Sequence, residues 1–442
     1  MAEPTNTPMP ASTPVPASTP RSTSPAPPIP SLTPNATTLT IPLQTSPSAA
    51  VLKRPIVLHI GDPIKYNPRT YAEFSEAFEV IRPSTAERER TEFVRALKER
   101  RWGDFSAIFR PFWGTGGEMG RWDAELIDLL PDSVKVFASA GAGFDWADTK
   151  LLGEKGIIYC NSGLAAAEAV ADFAVTMIIS TFRHLPWCMG AATLPYLTPS
   201  SSASAARKAF QTCHANATAV SHNPRGHVLG LVGFGNIGQQ IAAKLGHPAF
   251  GMRIAYHDVV RKPAAVEAEL RAAFHPTLVA LAAASDCVVL CAPAPADGRP
   301  LITAEALRAF RPGTRLVNVA RGSLVDEEAL ADALDTGVVG AAALDVHAAE
   351  PAVHPRLARM AGLDLDAAAG AGVGAGTGTG AGTATAMHPG RVMLTCHNAG
   401  GTVETHIGFE ELSMRNILAV LRGQEAVTPV NLQFLRRPGP SA

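Results

Sequence analysis

The sequence contains 442 residues, of which 46% are hydrophobic, and this is enough for two folded domains with additional tails. Its formal net charge of −1 lacks the positive excess with which proteins bind nucleic acid or anionic membranes, so neither partner is expected. The six cysteines form no C-x-x-C pair, and several lie in apolar runs. This pattern favours reduced thiols over disulfides or zinc, and no metal site is expected.

Residues 1–53 are rich in proline, serine and threonine and poor in aromatic residues. Such a segment buries too little apolar surface to offset its ordering entropy, so it is predicted to be a disordered extension. A mitochondrial presequence would carry several arginines, whereas Arg21 is the only basic residue before Lys53. No secretory apolar core follows the start, and the expected location is the cytoplasm.

Residues 54–160 alternate between strand-like and helix-like patterns. Strand-like runs are IVLHIG, AIFRPF, VKVFASA and GIIYCNSG, and helical patterns cover Thr70 to Val80, Thr91 to Arg101 and the region from Ala124 to Leu130. This alternation predicts an α/β domain, with a parallel sheet covered by helices.

A long apolar segment from Ala165 to Leu185 follows. Because Glu168, Asp172 and Arg183 interrupt it, we expect a buried helix that leads to a second domain rather than a membrane span. Residues 186–224 lack clear periodicity and are predicted to be a loop, with at most one short helix near Ala205.

The stretch HVLGLVGFGNIGQQIAAKL reads as a strand, a glycine-rich turn and a helix. Gly233 allows a tight turn, Gly235 lets the backbone approach a pyrophosphate, and Gly238 lets helix and strand pack closely. The next apolar run ends in Asp258, 20 residues after Gly238, where a carboxylate suits the ribose hydroxyls of NAD. A glycine-rich turn of another α/β protein is the alternative, and the nearby Arg261 and Lys262 leave room for NADP.

The alternation resumes after this motif and predicts a doubly wound dinucleotide-binding domain over residues 164–396. Residues 361–388 interrupt it with a low-complexity run of glycine, alanine and threonine, which is predicted to be a flexible insertion. Residues 402–434 begin with a long amphipathic helix that we expect to return to the first domain. The tail after Phe434 should fray.

Three polar residues follow apolar runs at predicted strand ends, namely Arg321, Glu350 and His397. Ligands bind beyond the carboxyl ends of strands in open parallel sheets. A histidine can supply the proton for a carbonyl that accepts hydride, an arginine fork can hold a carboxylate, and a carboxylate beside imidazole favours its protonated form. Taken singly, Arg321 fits a surface arginine, Glu350 fits the cap of a turn, and His397 fits a loop histidine. Their occurrence together downstream of a dinucleotide loop favours a catalytic site.

The motifs GFGNIG, NVARGSLVDEEAL, ALDVHAAEP and TCHNAGG together resemble the D-isomer-specific 2-hydroxyacid dehydrogenases. AGAGFDW, NPRGHVLG and the last long helix look most like the branch that includes fungal D-mandelate dehydrogenase. The resemblance covers the chain from Pro55 to about Asn431. It implies an NAD-binding Rossmann domain inserted into a flavodoxin-like substrate domain, and a homodimer formed through the cofactor domain.

The resemblance also implies roles for individual residues. Arg321, Glu350 and His397 would be catalytic, and Arg321 would also bind the substrate carboxylate. The cofactor would contact the glycine loop, Asp258, the exit of the strand CVVL and a carboxylate near the nicotinamide carboxamide: Gly233, Phe234, Gly235, Asn236, Ile237, Gly238, Asp258, Ala292, Pro293 and Asp345. The substrate carboxylate would be bound by backbone N–H groups of a loop of small residues: Ala140, Gly141, Ala142 and Gly143.

The expected activity is reversible hydride transfer between NADH and a 2-oxo acid such as benzoylformate or a branched 2-oxo acid. Glyoxylate or hydroxypyruvate reduction is an alternative within the family, and so is an NAD-sensing corepressor of the same fold. Formate oxidation needs no proton donor and is associated with glutamine where this chain has Glu350, which argues against it. Two departures are the interval of 47 residues between Glu350 and His397, and Cys396 in place of a proline before the histidine.

Overall fold

Two parallel β-sheets organise the chain, and helices pack on both. The computed structural model describes residues 53–112, 119–197, 202–295, 297–362 and 390–435. The predicted extension at 1–53, the insertion at 361–388 and the tail after Phe434 lie outside the described residues, apart from the residues at their edges.

The first sheet has five strands in the order β2-β1-β3-β4-β5, all parallel, which is the flavodoxin-like order. Its strands are β1 (Ile56–His59), β2 (Glu79–Ile81), β3 (Ala107–Arg110), β4 (Val136–Ser139) and β5 (Ile158–Cys160). Its helices are α1 (Pro68–Ala77), α2 (Arg90–Lys98), α3 (Ala124–Ile127) and α4 (Thr149–Glu154), with a 3₁₀ turn at Ala86–Arg88. Alternate residues of β3 pack into opposite cores, since Ile108 joins one apolar cluster and Phe109 the other.

Two local predictions in this region are corrected. The helix expected over Thr70 to Val80 ends at Ala77, because Phe78 is extended and the Glu79 N–H donates to the Pro55 carbonyl, which starts an edge strand beside β1. Helix α4 was not predicted. The Asp148 side chain caps it by accepting from the Leu151 N–H at 2.9 Å.

Helix α5 (Gly163–Arg183) leads from the first sheet to the second. It is long and apolar enough to cross a membrane, but half of its most apolar window is buried within the protein. Its buried residues include Val170, Ala174 and Met177, which belong to the core beneath the second sheet. The prediction of a buried helix is confirmed.

The predicted loop over residues 186–224 is wrong, because this stretch forms a pair of packed helices. They are α6 (Leu185–Leu197) and α7 (Ala203–Val220). The face that α7 buries consists only of Ala209, Cys213 and Ala217, spaced four residues apart, which pack with Trp187 and Ala191 of α6. Such small side chains give too weak an amphipathic signal for a helix to be recognised from periodicity.

The second sheet has seven parallel strands in the order β12-β11-β10-β9-β6-β7-β8, the doubly wound arrangement of a dinucleotide-binding domain. Its strands are β6 (Val228–Val232), β7 (Arg253–His257), β8 (Ala272–Phe274), β9 (Cys287–Leu290), β10 (Thr314–Asn318), β11 (Val339–Leu344) and β12 (Val392–Leu394). Its helices are α8 (Asn236–Gly246), α9 (Ala264–Leu270), α10 (Leu278–Ala284), α11 (Ala304–Leu307), α12 (Glu327–Asp335) and α13 (Pro355–Ala361), with a 3₁₀ turn at Gly322–Leu324. The predicted α/β fold with parallel sheets is confirmed.

The last long helix, α14 (Val403–Leu421), returns to the first sheet. Met414, Ile417 and Leu418 pack in one apolar cluster with residues of β1, β3 and β4. Its Glu410 carboxylate accepts hydrogen bonds from the backbone N–H groups of residues 65–67 at 2.8 to 3.0 Å. A 3₁₀ turn at Leu432–Phe434 follows. By contacts, residues from Lys53 onward form one compact unit, so the division into two domains near residues 160–164 stays a prediction.

Candidate active site

The residues predicted to carry chemistry follow the carboxyl ends of strands of the second sheet. Asp258 follows β7, Arg321 follows β10, Glu350 lies in the segment after β11, and His397 follows β12. Because the strands are parallel, all of these ends lie along one edge of the sheet. This edge is the candidate site.

The glycine loop after β6 has the geometry expected of a phosphate-binding turn. Gly233 has φ of +92°, and a Cβ there would lie 2.8 Å from the backbone of Ala292. A Cβ on Gly238 would lie 2.5 Å from the Gly233 carbonyl oxygen, so this glycine permits the close approach of helix α8. A Cβ on Gly235, in contrast, would meet nothing within 4 Å. The space over Gly235 is therefore open at the N-terminus of α8.

Helix α8 begins at Asn236, so the N–H groups of Asn236, Ile237 and Gly238 have no partner within the helix. Together with the open space over Gly235, these donors fit the pyrophosphate of a dinucleotide. Phe234 differs, because its N–H donates to the Asp258 carboxylate at 2.8 Å and its side chain is buried and stacked on Tyr256. The Phe234 carbonyl in turn accepts from Nε2 of Gln239 at 2.9 Å. The structure thus assigns Phe234 to the support of the loop, and its direct contact with cofactor stays a prediction.

Replacing Gly235 with valine is expected to abolish NADH binding while leaving the fold intact, because the new side chain would extend into open space where the pyrophosphate is expected. The dissociation constant from NADH fluorescence should rise at least about tenfold, equivalent to about 1.4 kcal/mol, and Tm should not change. Gly238→Val is the contrast, since its side chain would collide with the Gly233 backbone and should lower Tm. Wild-type NADH affinity in Gly235→Val would contradict the loop assignment.

Asp258 lies where the ribose-binding carboxylate was predicted, and its surroundings keep it ionised. Partial burial would raise its pKa, but the Phe234 N–H and Lys262, whose Nζ is 3.1 Å from Oδ2, lower that pKa below its ordinary value. Arg261 is paired with Glu267 at 2.9 Å. Of the two cations near Asp258, Lys262 therefore contacts its carboxylate, and Arg261 is paired with Glu267 instead.

Ala292 and Pro293 follow β9, and Ala292 lies beside Gly233 of the glycine loop, while contact of both residues with the cofactor stays a prediction. Sequence reasoning treated the preceding Cys291 only as a small apolar residue. Its thiol donates to the Gly233 carbonyl at 3.0 Å, and burial raises its pKa to about 12. Cys291 therefore stabilises the glycine turn through the hydrogen bond from its neutral thiol.

Backbone hydrogen bonds connect the ends of β10, β11 and β12 directly. The Asp345 N–H donates to the Asn318 carbonyl at 2.9 Å, and the His397 N–H donates to the Asp345 carbonyl at 2.7 Å. Arg321, which follows β10, is fixed by a bond from the Asn318 side-chain amide to its carbonyl at 2.8 Å. The three predicted catalytic residues thus lie on neighbouring strand ends.

Glu350 and His397 form a pair in spite of the 47 residues between them. Nδ1 of His397 lies 2.9 Å from Oε2 of Glu350, and Oε1 accepts from the His347 N–H at 3.0 Å. Partial burial would raise the pKa of Glu350, but the bonds to His397 and His347 and the charge of His397 lower it below its usual value. Among the described residues, nothing hydrogen-bonds to Nε2 of His397, which is therefore available to a substrate.

Asp345 organises the loop that carries His397. Its buried carboxylate accepts hydrogen bonds from the Thr395 hydroxyl and from the N–H groups of Asn398 and Ala399, at 2.7 to 2.9 Å. His397 itself has φ of +53°, a left-handed conformation that this network maintains. Contact of Asp345 with the nicotinamide carboxamide stays a prediction.

Arg321 contacts the loop of small residues that follows β4. A Cβ on Gly143 would lie 1.3 Å from Nη2 of Arg321, so only glycine leaves room for the guanidinium. Nε of Arg321 donates to Asp145 at 2.9 Å, and Nη1 donates to the Ala320 carbonyl at 2.7 Å. The structure therefore brings the predicted substrate loop and the predicted substrate arginine together.

One member of the predicted carboxylate loop is corrected. The N–H of Ala140 donates to the Arg110 carbonyl at 2.8 Å and extends the pairing of β4 with β3, so it is not free for an anion. Within the described ranges, the N–H groups of Gly141, Ala142 and Gly143 have no hydrogen-bond acceptor. These three donors and Arg321 could bind one carboxylate.

Sequence reasoning missed Asp145 and His347. Asp145 follows Gly143 by two residues and is the first carboxylate after the loop, which was a usable signal. His347 is buried, its N–H binds Glu350, and its Nε2 lies 2.8 Å from the Thr395 carbonyl. Its position beside Glu350 gave no such signal, because a histidine in that segment has many possible structural roles.

Comparisons with known proteins agree with this geometry. Residues 198–363 match the family described as D-isomer specific 2-hydroxyacid dehydrogenase, NAD binding domain. The chain is 32% identical over 303 residues to 4-methyl-2-oxopentanoate reductase A of Aspergillus oryzae, which covers 69% of this chain and 84% of the relative.

Solved structures give the same result over more of the chain. The holo form of D-mandelate dehydrogenase from Rhodotorula graminis superposes with a TM-score of 0.72 and 36% identity, covering 86% of this chain and 98% of that one. An NADPH-dependent glyoxylate/hydroxypyruvate reductase from Sinorhizobium meliloti superposes with a TM-score of 0.61 and 28% identity, covering 88% of this chain and 100% of that one.

Proposed function

Because the chain belongs to the D-isomer specific 2-hydroxyacid dehydrogenases, a family of oxidoreductases, we propose that it transfers hydride reversibly between NADH and a 2-oxo acid. The observation that carries this proposal is the Glu350–His397 pair at 2.9 Å, with Nε2 of the imidazole available, on the strand end two places from that of Arg321. The substrate would lie between this pair and the loop of residues 141–143.

In the proposed reaction, each residue has one task. Arg321 and the N–H groups of residues 141–143 bind the carboxylate of the 2-oxo acid. The glycine loop of residues 233–238 would hold a nicotinamide dinucleotide, which would supply the hydride that C2 accepts. His397 donates the proton on Nε2 to the carbonyl oxygen, so the product is the 2-hydroxy acid, and Glu350 stabilises the imidazolium that precedes the transfer. In the reverse direction neutral His397 accepts the proton of the hydroxyl group.

We propose that the substrate carries an apolar or aromatic side chain, as in benzoylformate or a branched 2-oxo acid. D-mandelate dehydrogenase and 4-methyl-2-oxopentanoate reductase A, to which the chain is similar, support this choice.

The decisive experiment is an NADH-oxidation screen with purified protein over benzoylformate, branched 2-oxo acids, pyruvate, hydroxypyruvate and glyoxylate. We expect the highest kcat/KM with benzoylformate or a branched 2-oxo acid. A preference for glyoxylate or hydroxypyruvate would assign the alternative specificity within the family. Absence of turnover with every acid would favour the NAD-sensing binding protein.

We propose NAD as the cofactor, with NADP less favoured, because the ionised Asp258 would repel a 2′-phosphate and Arg261 is paired with Glu267. Wild-type protein should therefore show higher kcat/KM with NADH than with NADPH. Asp258→Ser should lower the ratio of kcat/KM with NADH to kcat/KM with NADPH at least about tenfold, because it removes a negative charge that repels the 2′-phosphate. Steady-state kinetics with both cofactors test this, and a wild-type preference for NADPH would refute the ribose assignment.

Glu350→Gln should shift the pH dependence of both directions of the reaction. The bonds to His397 and His347 lower the pKa of Glu350, so a negative charge lies beside Nδ1 of His397, the residue that must carry a proton for reduction. The neutral amide lacks the charge, so reduction should decline at lower pH than in the wild type. Oxidation, which requires neutral imidazole, should begin at lower pH. Profiles of kcat/KM that overlay the wild type would show that the carboxylate does not act on His397.

We further propose that the protein works as a homodimer, which the resemblance to the family implies, and that its location is the cytoplasm. Analytical ultracentrifugation tests the first part, where a monomer at all concentrations would refute it. Microscopy of a tagged full-length protein tests the second part.

A further inference from the structure

The ion pair between Asp145 and Arg321 joins the loop after β4 of the first sheet to the loop after β10 of the second. Oδ1 of Asp145 accepts from Nε of Arg321 at 2.9 Å, and the two residues are 176 positions apart in the chain. The family resemblance assigned no role to Asp145, which is half exposed at the edge of the candidate site.

The guanidinium of Arg321 is held at three places. Nε donates to Asp145, Nη1 donates to the Ala320 carbonyl, and Nη2 lies against Gly143, where a Cβ would be 1.3 Å away. In the part of the chain that the structure describes, Nη2 has no hydrogen-bond acceptor, and it lies against Gly143, in the loop whose N–H groups at residues 141–143 also lack acceptors. Nη2 is therefore the donor of Arg321 that remains for an external carboxylate.

Asp145 accepts from Nε of Arg321 alone and makes no hydrogen bond to Nη2, so Nη2 keeps its donors for another carboxylate. Burial would raise the pKa of Asp145, but the charge of Arg321 and the bond to it lower that pKa, so Asp145 is ionised at neutral pH. It can therefore restrict the rotation of a long flexible side chain before substrate arrives.

We propose that Asp145 is a positioning residue that fixes Arg321 with its Nη2 toward the substrate carboxylate. This inference rests on the proposed function, in which Arg321 binds that carboxylate. Asp145 does not touch the substrate, and its effect is exerted through the arginine.

The test is a double-mutant cycle of Asp145→Ala and Arg321→Lys, with kcat and KM measured for the best 2-oxo acid. Asp145→Ala should lower kcat/KM about tenfold, mainly through KM, because Arg321 loses its fixed orientation. Asp145→Asn should remain within about threefold of wild type, since its amide oxygen still accepts from Nε. In the Arg321→Lys background, where no fork remains to be oriented, Asp145→Ala should cost less than about twofold.

A second measurement does not depend on turnover. Binding of oxamate, an inert analogue of a 2-oxo acid, to the protein–NADH complex should weaken about tenfold in Asp145→Ala, as seen from NADH fluorescence. The matched control is Asp104→Ala, because Asp104 also pairs with an arginine, Arg100, but is exposed before the amino end of β3. This control should leave oxamate binding, NADH binding and kcat/KM unchanged.

The outcomes separate two failures. If Arg321→Lys leaves kcat/KM and oxamate binding unchanged, Arg321 does not bind the carboxylate, and its role in the proposed function fails together with this inference, although hydride transfer itself stands. If Arg321→Lys is impaired but Asp145→Ala is not, or costs the same in both backgrounds, only the role of Asp145 is overturned. A lower KM in Asp145→Ala would also overturn it, since it would show that Asp145 competes with substrate.

Discussion

Replacing His397 with alanine is expected to lower kcat/KM about 10²- to 10⁴-fold in both directions and at every pH, a loss of about 3 to 5 kcal/mol of transition-state stabilisation. The variant loses the proton donor for reduction and the acceptor for oxidation, and Glu350, at the opposite ring nitrogen, cannot replace it. Steady-state kinetics in both directions measure the effect. NADH affinity should stay near the wild-type value.

His214→Ala is the matched control, because His214 is an exposed residue of α7 outside the site. It should have wild-type kinetics. If His397→Ala lost less than about tenfold, another group would be the proton donor, and the assignment of His397 would be wrong.

Gly143→Ala is expected to lower kcat/KM about 10²-fold with little change in Tm. The new methyl group would lie 1.3 Å from Nη2 of Arg321, and the flexible end of that side chain would move away at small cost to folding. A displacement of about 1 Å of an orienting group is enough for a loss of this size. Kinetics together with thermal unfolding distinguish lost orientation from lost structure.

Gly322→Ala provides the contrast, since a Cβ there would lie 1.9 Å from the backbone of His347, which cannot move away easily. This variant should unfold at a lower temperature than Gly143→Ala. Unchanged kinetics in Gly143→Ala would mean that Arg321 does not need its place beside the loop.

Much of the site could be predicted because its residues follow regular patterns. Strand ends in a parallel sheet meet at one edge, so Arg321, Glu350 and His397 could be grouped without knowledge of their contacts. The glycine loop was equally predictable, because Gly233 and Gly238 are required by backbone contacts that no other residue allows. The flavodoxin-like first sheet followed from family resemblance and the alternation of strands with helices.

Three of the errors arise from contacts between residues distant in the chain. Nothing local shows that the Ala140 N–H binds Arg110, that Phe234 is held by Asp258, or that Asp145 reaches Arg321. Helix α7 was missed for another reason, since the alanine and cysteine residues on its buried face produce little contrast with the exposed face. Periodicity detects an apolar face only when large side chains define it.

The return of α14 to the first sheet affects the order in which the protein can assemble during synthesis. Strands β1 to β5 leave the ribosome more than 240 residues before Val403, yet one apolar face of this sheet is covered by Met414, Ile417 and Leu418. The N–H groups of residues 65–67 likewise lack their hydrogen-bond acceptor until Glu410 has been synthesised. A nascent chain therefore exposes an incomplete apolar surface until α14 has been synthesised, and chaperones that bind such surfaces would have this interval in which to act.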